Sequence, residues 1–201
     1  KNPVLTFKDL PEGASKADFR DPKIWKEKDG NFYCVIGSRP ADGSGQILLY
    51  RSKNGFEWEF VSILAKNQNR YGKMWECPDF FALKDRHVLI CSPQDMKARK
   101  YEFHNGHNSV YFLGDYDANR CRFSKEQPHT LDYGMDFYAP QTTELPDGRR
   151  IMIAWMKSWD ACVIPNSQDW QGMMTFPREL EIKENRIWQN PVKELENYHQ
   201  N

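Results

Sequence analysis

The residues of this 201-residue chain best placed for chemistry stand immediately before three prolines. Arg20-Asp21-Pro22, Glu76-Cys77-Pro78 and Tyr138-Ala139-Pro140 open the segments RDPKIWKEKDG, ECPDFFALKDR and YAPQTTELPDG, which align without a gap. Trp75, Asp79, Asp136 and Gln141 stand close by in sequence. A cation, two or more carboxylates and several aromatic rings around one funnel would suit a sugar, whose hydroxyls take paired hydrogen bonds while its apolar face stacks on a ring. The chemistry that would follow is general acid catalysis beside a second carboxylate. Acids at strand starts also bond backbone, and Arg20-Asp21 could be a structural pair. The alignment tilts the balance towards a site, because it puts different charged groups at equivalent positions where a structural role would favour similar ones.

The elements that must position these residues are strands. NFYCVIG, QILLYRS, FEWEFVSIL, HVLICS, SVYFLGDY and RIMIAWM are short and rich in β-branched and aromatic residues, with turn residues between them. Asn54-Gly55 and Asp147-Gly148 read as hairpin turns, glycine supplying the positive φ. No amphipathic helix of ten or more residues is evident, so the chain reads as all-β. Pro22, Pro78 and Pro140 recur 56 and 62 residues apart, each followed seven residues later by a turn aspartate: Asp29, Asp85 and Asp147. After each turn come further strands: FYCVIG, ILLYR and FEWEFV; VLICS, VYFLGD and CRFSK; IMIAW, MMTFPREL and RIWQ. Four antiparallel strands behind a shared opening motif describe the blade of a β-propeller better than a sandwich. Three four-stranded blades are expected, at about residues 16–70, 71–134 and 135–197, forming part of a ring whose first strands line a common channel. Trp25, Trp58, Trp155, Trp159 and Trp188 are expected to pack between blades.

Composition excludes other classes. The 28 Lys+Arg balance 28 Asp+Glu, so no basic excess is available to follow a nucleic-acid backbone or an acidic membrane surface. No run approaches the length of a membrane span, and the first residues lack an export-signal pattern. Cys34, Cys77, Cys91, Cys121 and Cys162 are odd in number, widely spread and without a C-x-x-C pair, which reads as reduced thiols in a cytoplasmic protein. His104 and His107 have a H-x-x-H spacing without a third ligand pattern, so no metal is expected. The chain opens on Lys1, as an excised piece of a longer protein would.

DFRDPKIW (18–25), MWECPDFF (74–81), LDYGMDFYAPQ (131–141), GRRIMIAWM (148–156) and MTFPREL (174–180) resemble, in order and spacing, the motifs of glycoside hydrolase family 32. That family holds invertases, sucrose-6-phosphate hydrolases, inulinases and levanases. The resemblance implies a five-bladed propeller followed by a β-sandwich, no cofactor, and cleavage of terminal β-D-fructofuranosyl bonds with retention through a covalent fructosyl-enzyme. Carried over by position, Glu76 resembles the general acid/base and Asp21 the transition-state stabiliser. Arg20 is then a further polar contact, Cys77 a neighbour tuning Glu76, and Trp75 and Tyr138 substrate-shaping aromatics. The family's nucleophile lies in an N-terminal W-x-N-D-P-N-G-like motif that has no counterpart here, and the sandwich has none either. The resemblance thus implies the last three blades of five, two of three catalytic carboxylates, and negligible sucrose hydrolysis by the chain alone. A sugar-binding propeller without catalysis and a scaffold propeller for protein partners are the alternatives, and exposed blade faces would favour oligomers.

Overall fold

The computed structural model describes residues 2–160, 167 and 169–199. Cys162, counted above among the reduced thiols, lies outside them. Three antiparallel sheets follow one another along the chain, each a meander whose neighbours in sequence are neighbours in space. The first comprises β1 (Ala14–Lys26), β2 (Phe32–Pro40), β3 (Gln46–Ser52) and β4 (Glu59–Lys66). The second comprises β5 (Trp75–Leu83), β6 (Arg86–Pro93), β7 (Val110–Asp117) and β8 (Arg122–Lys125), and the short β9 (His129–Thr130) pairs on the far part of β7. The third comprises β10 (Tyr138–Glu144), β11 (Arg150–Trp155), β12 (Arg178–Lys183) and β13 (Arg186–Pro191). These are three blades of a β-propeller, with β1, β5 and β10 as their inner strands.

The blades adhere through their faces. Tyr33, Val35, Ile47 and Leu49 of the first sheet meet Phe80, Leu89, Cys91 and Phe112 of the second in one core. Phe81, Val88, Ile90 and Leu113, on the second sheet's other face, meet Met152, Ala154 and Leu180 of the third. The period-2 alternation of strands sends neighbouring residues such as Phe80 and Phe81 into different cores. Gly37 and Gly45 let the first sheet approach closely: a Cβ at either would overlap the backbone or ring of Trp75. The outward face of the first sheet, with Cys34, Ile36, Leu48 and Tyr50, is partly covered by Leu5, Leu10, Phe19 and Trp58.

Several boundaries depart from the sequence reading. Asn54-Gly55 does not form a two-residue hairpin. The Asn54 side chain accepts the Phe56 and Glu57 amides, widening the turn so that β4 starts only at Glu59. MMTFPREL is not one strand: Met174 makes an isolated bridge to Trp155, and β12 starts after Pro177, which has no N–H to give a ladder. The second sheet has a fifth strand, β9. Trp25 packs between sheets against Tyr33 and Phe80, but Trp159 and Trp188 are exposed, their rings lying beyond any face that another sheet covers among the described residues.

Candidate active site

Each inner strand is interrupted at the same place. Pairing with the second strand shifts register between Arg20 and Lys23, between Glu76 and Asp79, and between Tyr138 and Gln141. The residue before each proline, Asp21, Cys77 or Ala139, has φ of 62°, 48° or 52°. None is glycine, and a left-handed L-residue costs roughly 1–2 kcal/mol. A bulge bends its strand and re-aims the side chains around it. Here the result is convergence of the equivalent positions at one end of the channel.

Arg20, Glu76 and Tyr138 form the first cluster. Arg20 Nε donates to Glu76 Oε1 at 2.9 Å, and the Tyr138 hydroxyl donates to Glu76 Oε2 at 2.6 Å. The carboxylate thus has a donor on each oxygen, one from the first sheet and one from the third. Its side chain keeps 13% of its surface exposed, so it faces the opening without being immersed in water. Arg20 is fixed in turn by Asp18, 3.1 Å from Nη1. Burial works against the Arg20 charge, but the bonds and charges of Glu76 and Asp18 outweigh it and raise its pKa. Burial, then the Glu76 bond and charge, raise that of Tyr138 well above the phenol range, keeping the hydroxyl a donor.

Asp21 and Cys77, one position on, form a second contact. Asp21 Oδ2 accepts the Cys77 amide at 3.0 Å and lies 3.6 Å from its sulfur. Burial first, then the charges of Asp21 and Glu76, push the Cys77 thiol up to about 12, so it stays protonated and donates. Cys77 therefore bonds Asp21, whereas the sequence reading sets it against Glu76. Asp21 thus reaches, through the Cys77 amide, the residue next to Glu76 in β5.

Two expected substrate contacts are placed otherwise. Trp75 has no exposed surface: its Nε1 donates to the Tyr71 carbonyl and its ring packs on Phe112, so it belongs to the core between the first two sheets. Tyr138 is 2% exposed, and its hydroxyl serves Glu76 and the Ser92 carbonyl rather than the opening. Asp136 is exposed, Gln141 bonds the Cys77 carbonyl, and Asp79 is buried. Ser92, which the sequence reading does not single out, receives the Ala139 amide on Oγ. His107 packs edge-on against Tyr138 at 5.7 Å and bonds Asp160 of the third sheet's loop through both its amide and Nδ1. His104 Nδ1 lies on the Asn105 carbonyl instead, and among the described residues no group of three or more His, Cys, Asp or Glu is arranged to hold a metal. No helix among them is long and apolar enough to cross a membrane.

Comparison with known proteins agrees with this architecture. Residues 1–191 match the glycosyl hydrolases family 32 N-terminal domain. The raffinose invertase of Escherichia coli is 43% identical over 186 residues, covering 92% of this chain and 38% of that protein. The sucrose-6-phosphate hydrolase of Bacillus subtilis (strain 168) is 39% identical over 199 residues, covering 92% and 40%. Among solved structures, the Bombyx mori GH32 beta-fructofuranosidase BmSUC1 superposes with a TM-score of 0.92 at 37% identity, covering all of this chain and 42% of that one. The chain thus spans about two fifths of the length of the relatives it matches. Motif order, blade architecture and these matches place it in one family: the chain belongs to glycosyl hydrolase family 32.

Proposed function

We propose that these 201 residues are the acid-bearing part of a β-fructofuranosidase acting on sucrose or sucrose 6-phosphate. The observation that carries this reading is the Glu76 carboxylate, gripped on one oxygen by Arg20 and on the other by Tyr138, with Asp21 bonded to the amide of the next residue, Cys77. Glu76 is the general acid/base. It protonates the leaving glycosidic oxygen as the bond from the fructosyl carbon breaks, then accepts a proton from the water that releases fructose. Asp21 holds the fructose hydroxyls as positive charge develops on the ring. Retention requires a nucleophilic carboxylate roughly 5–5.5 Å from the acid/base, and we assign it to a blade outside these residues, in a full-length enzyme that also carries the β-sandwich. The names of the matched invertases and sucrose-6-phosphate hydrolases support the reaction class, as does the Bombyx mori enzyme, a variant of which was solved with sucrose. The four described cysteines are free, in keeping with a cytoplasmic enzyme.

The test is Glu76→Gln in the full-length enzyme. Activity on sucrose is expected to fall at least roughly 100-fold, with an unchanged circular dichroism spectrum. The loss of kcat/KM on p-nitrophenyl β-D-fructofuranoside is expected to be much smaller, because that leaving group needs no proton in the bond-breaking step. A near-wild-type rate on sucrose would remove Glu76 from the mechanism.

A further inference from the structure

Beneath the Arg20–Glu76–Tyr138 cluster, the positions three residues further on also converge. Lys23, Asp79 and Gln141 are the residues at which pairing resumes after each bulge. Lys23 Nζ lies 3.3 Å from Asp79 Oδ2 and 3.2 Å from Gln141 Oε1, and donates to the Thr142 carbonyl at 2.6 Å. The Thr142 amide donates to Asp79 Oδ2 at 2.7 Å. Gln141 Nε2 closes the set on the Cys77 carbonyl at 3.1 Å, which belongs to the left-handed residue of the middle bulge.

Asp79 is the centre of this clasp, and it is a costly residue to place there. It is 1% exposed, next to Phe80 and Phe81 in β5, and Oδ1 has no hydrogen-bond partner among the described residues. Burial raises its pKa, with the Lys23 charge and the Thr142 bonds opposing. Apolar residues of similar volume commonly match or exceed the stability of a buried ion pair, so stability alone gives no reason for such a pair. Here it ties three strands of three sheets at the point where each has slipped register, and a slip of one residue turns every side chain to the other face.

We propose that Asp79 is a positioning residue for Glu76. By holding Lys23 of β1 and the Thr142 backbone of β10 against β5, it fixes the three bulges relative to one another and so keeps Arg20 and Tyr138 on the two oxygens of the acid. This rests on Glu76 being the acid.

In the full-length enzyme, Asp79→Asn keeps the side-chain shape and removes the charge. On sucrose, kcat per folded enzyme is expected to fall roughly 10- to 100-fold, with KM changed less than about threefold. In kcat/KM, which reports only the bond-breaking step, the loss on p-nitrophenyl β-D-fructofuranoside is expected to be far smaller, because a displaced acid matters little to a leaving group that needs no proton. A merely structural role would lower both activities through the amount of folded enzyme. Equal losses of kcat/KM on the two substrates, or a wild-type kcat/KM on sucrose, would overturn the proposal. Should the single variant fail to fold, Lys23→Met/Asp79→Asn leaves no unpaired buried charge and is judged by the same ratio. Glu76→Gln measured alongside separates the two claims. Retained sucrose activity in that variant removes the acid assignment itself, whereas its loss together with a wild-type Asp79→Asn removes only the role of Asp79.

Discussion

A carboxylate that must give up a proton and later take one needs partners that steer it without neutralising it permanently. Arg20 and Tyr138 supply two donors to Glu76 from opposite sides. Tyr138→Phe tests the weaker-charged of the two. It removes the hydroxyl and keeps the ring that packs on His107, so the fold is expected to persist. Stability should fall by roughly 1.5–3 kcal/mol, the range for a hydrogen bond to a charged group, read from denaturant midpoints. The kcat on sucrose should fall as Glu76 loses orientation. At this scale the sequence makes the charged groups legible: Arg20, Asp21 and Glu76 stand out by type and by their place before a proline. What an aromatic residue does there is not legible. Whether the rings of Trp75 and Tyr138 meet a sugar or the core depends on how closely the next sheet approaches, which two glycines of the first sheet, Gly37 in β2 and Gly45 just before β3, decide for Trp75.

The inner strands would be unremarkable β-ladders without their bulges. The strand order, the recurring proline and the turn aspartates are legible because periodicity and turn chemistry are local. The bulges are not, since Asp21, Cys77 and Ala139 share no side-chain chemistry and a residue before proline ordinarily reads as extended. Their left-handed backbone is held by the surrounding sheet rather than by residue preference. Ala139→Gly isolates that strain, because no side chain at this position reaches Glu76. Relief of roughly 1–2 kcal/mol is offset in part by the about 0.5–1 kcal/mol that glycine loses in chain entropy. A stabilised or unchanged denaturant midpoint is therefore expected, where glycine in an ordinary strand would destabilise. A clear loss of stability would show that the left-handed backbone at Ala139 is unstrained.

The three blades meet at two interfaces and leave the two flanking faces partly open. Ile24, Phe60 and Ile63 are exposed on the first sheet, and Ile153, Met174, Phe176 and Trp188 on or beside the third. Apolar surface on that scale drives association. The isolated 201-residue chain, of 23.8 kDa, is expected to elute as oligomers or aggregates in size-exclusion chromatography with light scattering. A monodisperse monomer would show that these faces are too small to stick. The repeated backbone also bears on how such a site arises. Three sheets present the same proline, the same bulge and the same left-handed position, yet the position that meets at the axis is arginine in one, glutamate in the next and tyrosine in the last. Three copies of any one of them would give a ring of like charges or of phenols, without the cation and hydroxyl that hold the two Glu76 oxygens here. Repetition of the backbone thus supplies the symmetry that brings the groups together, and difference at a single aligned position supplies the chemistry.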